Sequence, residues 1–227
     1  MERIFIERPD FHVIHEPFSI LYYVSEGKGT TTPDRDVPPE DLTYPAIRQQ
    51  ILKAAENGPV FIKDMPYHAF HHIKEDRSLL DRLTHSFLIR HPAPTLASHY
   101  AKNPDLTLEE AGYDHQYQLL EILKEMGKPP LVIEASQLTG ETEKTIKAYC
   151  KQLDIPFIPE ALQWEQKTPE DWKTWSKWHQ AAGKSQGIEV KKREYRHTVD
   201  NTPRLAEMYH ACLPLYEKMR QHLLPLT

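Results

Sequence analysis

Residues 59–64 read "PVFIKD", a short apolar run that ends on Lys63 and Asp64. Its β-branched and aromatic residues favour a buried strand, and three further runs share the pattern. Those runs are "FHVIHE" at 11–16, "SFLIR" at 86–90 and "PLVIEA" at 130–135. Helix-like stretches occur at 42–58, 106–127 and 139–155. Strands that alternate with helices predict an α/β fold built on a doubly wound parallel sheet.

The pattern changes after residue 162, where four tryptophans follow at 164, 172, 175 and 178. Two helical segments are expected there, at about 168–183 and 203–224. We therefore predict a single domain over 1–227, with an α/β core at 1–162 and a C-terminal helical cover at 163–227. The polar segment 25–41 is expected to be a loop, either a lid over a site or a plain surface excursion.

Composition excludes several classes of partner. The 227-residue chain has a net charge of −5, which gives no general attraction for nucleic acid. No apolar run reaches about 18 residues and the start does not resemble a signal peptide, so no membrane partner is expected. The two cysteines, Cys150 and Cys212, do not suggest a disulfide framework and favour a reducing, cytoplasmic environment.

The ends of the predicted strands are charged. They carry Glu16, Lys63, Asp64, Arg90 and Glu134. In an open parallel sheet, ligands bind beyond the carboxyl ends of the strands. A carboxylate, an ammonium and a guanidinium at such an edge suit an anionic cofactor and a general base. The alternative is that each charge only marks where the chain returns to water.

Four motifs resemble those of sulfotransferases that use 3′-phosphoadenosine 5′-phosphosulfate (PAPS). They are "HEPF" at 15–18, "FIKDMPYH" at 61–68, "FLIRHPAPTLASHY" at 87–100 and "YCKQLDIPFIPEALQWE" at 149–165. The resemblance is to the bacterial branch of that family and extends from residue 2 to about 190. It implies a P-loop-like α/β sheet and the transfer of a sulfuryl group from PAPS to a hydroxyl or amine of a small metabolite.

The resemblance also implies roles for individual residues. Arg90 and Ser98 would bind the 3′-phosphate of PAPS or of its product, 3′-phosphoadenosine 5′-phosphate (PAP). Lys63 would stabilise charge on the leaving phosphate oxygen. Glu16 resembles the general base of carbohydrate sulfotransferases. In cytosolic relatives the base is a histidine at the position of Met65, which leaves His68 as the nearest histidine and a second candidate.

A second phosphate contact and a metal were also considered. Ser185 and Gly187 lie where relatives have a second phosphate-binding loop, although a solvated basic loop at 184–193 is the alternative. The three histidines at 68, 71 and 72 have a spacing that a helix can use for a metal, but no carboxylate or cysteine pattern accompanies them. Sulfuryl transfer requires no metal, so none is expected.

The start of the chain departs from the family pattern. "MERIFIERPDF" at 1–11 resembles the later part of the family's first helix, without the first strand and the loop that binds the 5′-phosphosulfate. We expect either that the natural protein is longer or that this form has lost its donor site and is a non-catalytic binding or assembly protein. A missing strand would expose sheet edges, which favours either a longer natural protein or a homo-oligomer. A nucleotide kinase is disfavoured because no Walker lysine motif occurs, and no feature identifies the acceptor.

Overall fold

The structure, a computed structural model, describes residues 1–34, 43–190 and 193–226. These residues form two compact units. The first contains Met1–His72 and Ile158–Ile188, and the second contains Ile73–Phe157 and Glu189–Thr227. The single domain with a boundary at residue 162 stays a prediction. Residues 35–41 of the predicted loop, residue 42 of the predicted helix, and Lys191 and Lys192 of the predicted basic loop lie outside the described residues.

The described helices and strands follow the predicted alternation. The first half of the chain contains α1 (Glu2–Ile6), β1 (His12–His15), a π-helical turn (Leu21–Ser25), α2 (Tyr44–Ala55), β2 (Val60–Lys63), α3 (Pro66–Ile73), α4 (Arg77–Arg82), β3 (Ser86–Ile89) and α5 (Pro92–Tyr100). The second half contains α6 (Leu108–Ala111), α7 (Tyr113–Glu125), β4 (Leu131–Glu134), α8 (Ala135–Gly140), α9 (Thr142–Gln152), 3₁₀ turns (Pro159–Leu162, Glu170–Trp175), α10 (Ser176–Gly183) and α11 (Pro203–Arg220). The α/β fold class is therefore confirmed.

The four predicted strands are present and pair in parallel. β1 pairs with β2 from His12 opposite Val60 to His15 opposite Lys63. β3 pairs with β4 from Ser86 opposite Leu131 to Ile89 opposite Glu134. The described strands thus form two sheets of two strands each. One doubly wound sheet that contains all four strands remains a prediction.

In the first unit, the strand pair is covered on both faces. Ile14 and Ile62 are opposite each other and pack against a cluster that includes Ile47 and Ile51 of α2. Because side chains alternate along a strand, Phe61 points to the other face, where its ring stacks on Phe5 at 3.9 Å. The two isoleucines of α2 are four residues apart and so share one helix face. This packing fixes the positions at which β1 and β2 end.

The second unit is held by α11. This helix packs against α5 and α7, and its Leu205 and Met208 share a buried cluster with Leu96 and Leu106. The predicted helix at 203–224 is therefore confirmed, although it ends at Arg220.

The helix predicted at 106–127 is interrupted, because Gly112 adopts a left-handed backbone with φ of 82° between α6 and α7. The sequence analysis read that glycine as helical, and the prediction was wrong at this point.

Candidate functional site

Lys63 and Glu16 form an ion pair where β1 and β2 end. The Glu16 N–H donates to the Lys63 carbonyl at 2.6 Å, which extends the parallel pairing by one residue. The Lys63 ammonium then binds Glu16 Oε1. Glu16 has a positive φ of 41°, a backbone conformation that residues other than glycine rarely adopt. Local strain of this kind is common where a side chain must be aimed for a function.

The surroundings keep both members of this pair charged. Burial alone would raise the pKa of Glu16, but the charges of Lys63, His68 and His15 outweigh it and lower the pKa to about 2. Burial would lower the pKa of Lys63, yet the Glu16 carboxylate and its hydrogen bond raise it. The site therefore presents an ammonium in a fixed orientation. A carboxylate with such a low pKa accepts a proton poorly at neutral pH, which weighs against Glu16 as the general base.

His68, the other candidate base, lies in the same unit but is enclosed. Its Nδ1 is 2.5 Å from Asp64 Oδ1, and its ring is within 4.6–5.7 Å of the rings of three tyrosines, Tyr22, Tyr23 and Tyr67. The residue is only 2% exposed. Its Nε2 has no hydrogen-bond partner among the described residues. Asp64 thus orients the ring and leaves Nε2 as the nitrogen that can exchange a proton.

A second histidine network adjoins the ion pair, and sequence reasoning did not predict it. Glu2 Oε1 lies 2.7 Å from His15 Nδ1 and also accepts a hydrogen bond of 3.2 Å from Trp172 Nε1. The His179 ring stacks on Trp172 and meets the His15 ring edge to face, both at 4.8 Å between ring centroids. Burial, and then the Lys63 charge, lower the pKa of His179 to about 4. These residues come from distant segments, so no spacing in the sequence could indicate them.

The two residues expected to bind the 3′-phosphate lie in the second unit. Arg90 follows β3, and its carbonyl accepts a 2.6 Å hydrogen bond from the Tyr113 hydroxyl, which fixes the backbone there. Its side chain is exposed and, among the described residues, its guanidinium has no hydrogen-bond or ion-pair partner. Ser98 is half-buried in α5, the helix that begins two residues after Arg90. The predicted strand, arginine and helix with serine are therefore present in that order.

Ser185 and Gly187 belong to the first unit and have structural partners. The Ser185 hydroxyl donates to the Ala182 carbonyl at 2.7 Å and accepts from Trp164 Nε1 at 3.3 Å. Gly187 forms an isolated antiparallel bridge with Gln163. Both positions therefore hold the chain against the residues around Trp164. These contacts weigh against Ser185 as a direct phosphate ligand.

The chain is similar to known proteins over nearly its whole length. The model of the sulfotransferase domain family matches residues 1–222. Two relatives from Arabidopsis thaliana are named branched-chain-amino-acid aminotransferase-like protein 2 and protein 1. Protein 2 is 30% identical over an alignment of 230 residues, and the match covers 96% of this chain and 38% of the relative. Protein 1 is 30% identical over an alignment of 235 residues, and the match covers 96% of this chain and 39% of the relative.

This chain thus spans well under half the length of those relatives. No solved structure matches it. Among the described residues, no helix has both the length and the apolar character needed to cross a membrane. Because the family model matches all but the last few residues, and because an ionised lysine ends the second strand as the motifs implied, this chain belongs to the sulfotransferase domain family.

Proposed function

We propose that this protein transfers a sulfuryl group from PAPS to a hydroxyl or an amine of a small metabolite. The observation that carries the proposal is the ion pair of Lys63 and Glu16 at the strand ends, in a chain of the sulfotransferase domain family. Sulfuryl transfer needs a cation near the leaving phosphate, and a lysine that is charged and held in one orientation meets that need.

In the proposed reaction, the acceptor oxygen or nitrogen forms a bond to sulfur while the bond from sulfur to the phosphate oxygen breaks. The electron pair of the broken bond stays on the phosphate of PAP, where Lys63 would stabilise the growing negative charge. The acceptor proton passes to a general base. Since the pKa of Glu16 is about 2, we assign Glu16 the task of holding Lys63 and assign the base to His68.

The donor's phosphates would be bound elsewhere on the chain. We propose Arg90 and Ser98 for the 3′-phosphate, because the guanidinium has no partner among the described residues and a fork of N–H donors suits phosphate oxygens. Ser185 and Gly187 are weaker candidates for a second contact, since Ser185 is already hydrogen-bonded. The doubly wound sheet expected from the sequence, the bacterial-type affiliation and the cytoplasmic location are parts of this same proposal.

Two alternatives have their own expected outcomes. A non-catalytic binding or assembly protein of the same fold that has lost its donor site would release no PAP from PAPS with any acceptor. The names of the Arabidopsis relatives suggest an aminotransferase-like protein, but those relatives are more than twice as long as the matched stretch. The family model that covers this stretch is that of a sulfotransferase domain, so sulfuryl transfer remains the primary proposal.

The test is PAP release from PAPS against a panel of alcohols and amines, with EDTA in the buffer. We expect Lys63→Ala to lower kcat by about 10²–10³ with little change in KM, because the lysine meets a charge that develops only in the transition state. Lys53→Ala, at an exposed lysine of α2 in the same unit, is the matched control and should keep the parent rate. Full turnover by Lys63→Ala with intact PAP binding would refute the assignment.

A further inference from the structure

We propose that His15, Glu16 and His179 form a binding site for a divalent transition-metal ion such as Zn²⁺. The three residues belong to the first unit, and each offers a ligand atom within 4.8 Å of the others. His15 is the last residue of β1, Glu16 follows it, and His179 lies in α10. This site goes beyond sulfuryl transfer and does not depend on it.

Two buried nitrogen atoms in this cluster lack a hydrogen-bond partner in the part of the chain that the structure describes. The His15 side chain is 3% exposed, and its Nε2 is buried without a hydrogen bond among the described residues. The same holds for Nε2 of His179. Buried polar atoms without a partner are rare in proteins, and an ion is one of the recognised explanations. Two such atoms on neighbouring rings are available to one ion that binds both.

The Glu2 carboxylate determines which nitrogen of His15 is available. Because Glu2 Oε1 lies 2.7 Å from Nδ1, the proton of a neutral ring resides on Nδ1 and the lone pair resides on Nε2. Histidines that bind metals almost always donate their other N–H to a carboxylate or carbonyl in this way. His15 therefore has the tautomer and the support of a metal ligand.

Trp172 contacts both the Glu2 carboxylate that holds His15 and the ring of His179. Its indole N–H donates to the same Glu2 oxygen at 3.2 Å, while its ring stacks on His179. A cleft of about 210 Å³ lies beside Glu2, His15 and Trp172. The supporting residues thus hold both rings next to this cleft.

Two imidazoles and one carboxylate favour zinc-like ions over magnesium or calcium, which prefer oxygen ligands. With Zn–N bonds of about 2.0 Å, ligand atoms around a tetrahedral ion are about 3.3 Å apart, so the side chains need to move inward by about 1 Å. Glu16 would contribute its second oxygen, because Oε1 already binds Lys63. Three protein ligands leave one position for water or an anion.

In the sequence, a helical spacing suited to a metal occurs at the three histidines of α3, and no metal is expected from it. Spacing along the chain was a poor guide here, because His15 and His179 are 164 residues apart and meet only in the folded unit. Lys63 limits the affinity of the site, since its ammonium repels a cation and shares the Glu16 carboxylate. Bound Zn²⁺ would in turn compete with Lys63 for that carboxylate.

The experiment is titration of the EDTA-stripped and dialysed full chain with Zn²⁺ by calorimetry, and with Co²⁺ by visible absorption. We expect one Zn²⁺ per chain and the ligand-field bands of four-coordinate Co²⁺. His179→Ala and His15→Ala should each weaken binding at least 10-fold. Glu2→Gln, which keeps the shape of the support but removes its charge, should weaken it about 10–100-fold.

The matched control is His12→Ala, because His12 is an exposed histidine of the same strand and offers no ligand to the cluster. It should bind Zn²⁺ as the parent does, and circular dichroism in EDTA should show the parent fold in each variant that is compared. His179→Ala decides the outcome if His15→Ala does not fold, because His179 is only half-buried. The proposal would be overturned if the parent did not bind Zn²⁺, if His179→Ala bound it as tightly as the parent, or if His12→Ala weakened binding as much as His179→Ala. The last result would indicate adventitious binding to a histidine-rich surface.

Discussion

The strand pair β1–β2 ends on two opposite charges that bind each other, whereas the carboxylate that ends β3–β4 has a different task. Glu134, the last residue of β4, accepts hydrogen bonds from the Ser136 N–H at 2.9 Å and from the Tyr216 hydroxyl at 3.2 Å. It is the N-cap of α8, which follows the strand directly. Glu16 is followed by a turn at 17–18 before the next helical residues, and its carboxylate binds Lys63.

The difference shows what decides the role of a carboxylate at a strand end. Both strands are four residues long and both glutamates are almost buried. A helix that starts at once leaves N–H groups without partners, and these groups take the carboxylate. At Glu16 the positive φ changes the direction of the backbone instead. The carboxylate is then not used as a helix cap and binds an opposite charge. Glu134 is thus a structural residue and Glu16 is a candidate functional one.

The largest expected effect concerns the two base candidates near the first strand pair. We expect His68→Ala to lower kcat by roughly 10²–10⁴ and to remove the fall in rate on the acidic side of the pH profile. Glu16→Gln should lower kcat less and keep that acidic fall, because the residue acts through Lys63. Steady-state PAP release across pH measures both. His71→Ala, at an exposed residue of the same helix, serves as the control.

Parent-like turnover by His68→Ala would mean that the Asp64–His68 pair is structural, like Glu134. The assignment would also be wrong if Glu16→Gln alone removed the acidic fall. In that case substrate binding would have to raise the pKa of Glu16, and Glu16 would be the base.

A smaller effect is expected at the end of β3. Arg90→Ala should weaken PAP binding by about 10–100-fold, because a hydrogen bond to a charged group contributes about 1.5–3 kcal/mol. Ser98→Ala should weaken it by less than about 10-fold, as expected for a neutral hydroxyl. Calorimetry with PAP measures both, and Arg82→Ala at an exposed arginine is the control. Unchanged affinity in Arg90→Ala would show that the phosphate site is misassigned.

Glu134→Ala tests the structural side of the comparison. The variant loses a helix cap and leaves the Tyr216 hydroxyl without its acceptor, so the free energy of unfolding should fall by about 1–3 kcal/mol. Thermal melting should show a decrease of several degrees for a chain of this size. The kcat of the folded variant in the proposed reaction should stay within about twofold of the parent. A large loss of kcat with unchanged stability would make Glu134 a functional residue and remove the contrast with Glu16.

The last effect is a pH dependence of stability from His99, in the helix that follows β3. Burial lowers the pKa of His99 to about 4, although the Glu110 charge opposes this and the Lys102 charge adds to it. Between about pH 6.5 and 4 the unfolded chain binds the proton and the folded chain does not, so the free energy of unfolding falls as the pH is lowered.

In His99→Gln this contribution is removed, so its melting temperature should fall less than that of the parent between pH 6.5 and 4. His210→Gln, at an exposed histidine of α11, should follow the parent. Parallel curves for His99→Gln and the parent would contradict the expected titration.

The sequence predicted the strands well because each is a short run of β-branched and aromatic residues between polar segments. It also placed Glu16, Lys63 and His68 in one region, because Lys63 ends β2 and the other two come shortly after the ends of β1 and β2, which pair. It could not place Glu2, Trp172 and His179 beside them, because those contacts depend on how the 3₁₀ turn at Glu170–Trp175 and α10 pack in the folded unit. Gly112 is a second example of a feature that the sequence did not reveal. The pattern is helical on both sides of this glycine, so it gave no sign that α6 and α7 are separate helices.

The positive φ of Glu16 has a consequence for any attempt to engineer this protein. A left-handed backbone costs a residue with a side chain roughly 1–2 kcal/mol, and glycine is free of that cost. Glycine at position 16 would remove that cost but would leave the Lys63 ammonium, which is largely buried, without its anion, and breaking a buried ion pair in this way costs about 3–5 kcal/mol. Selection for heat resistance should therefore retain the carboxylate at position 16 despite its strained backbone, so the residue that orients Lys63 is protected by stability as well as by turnover.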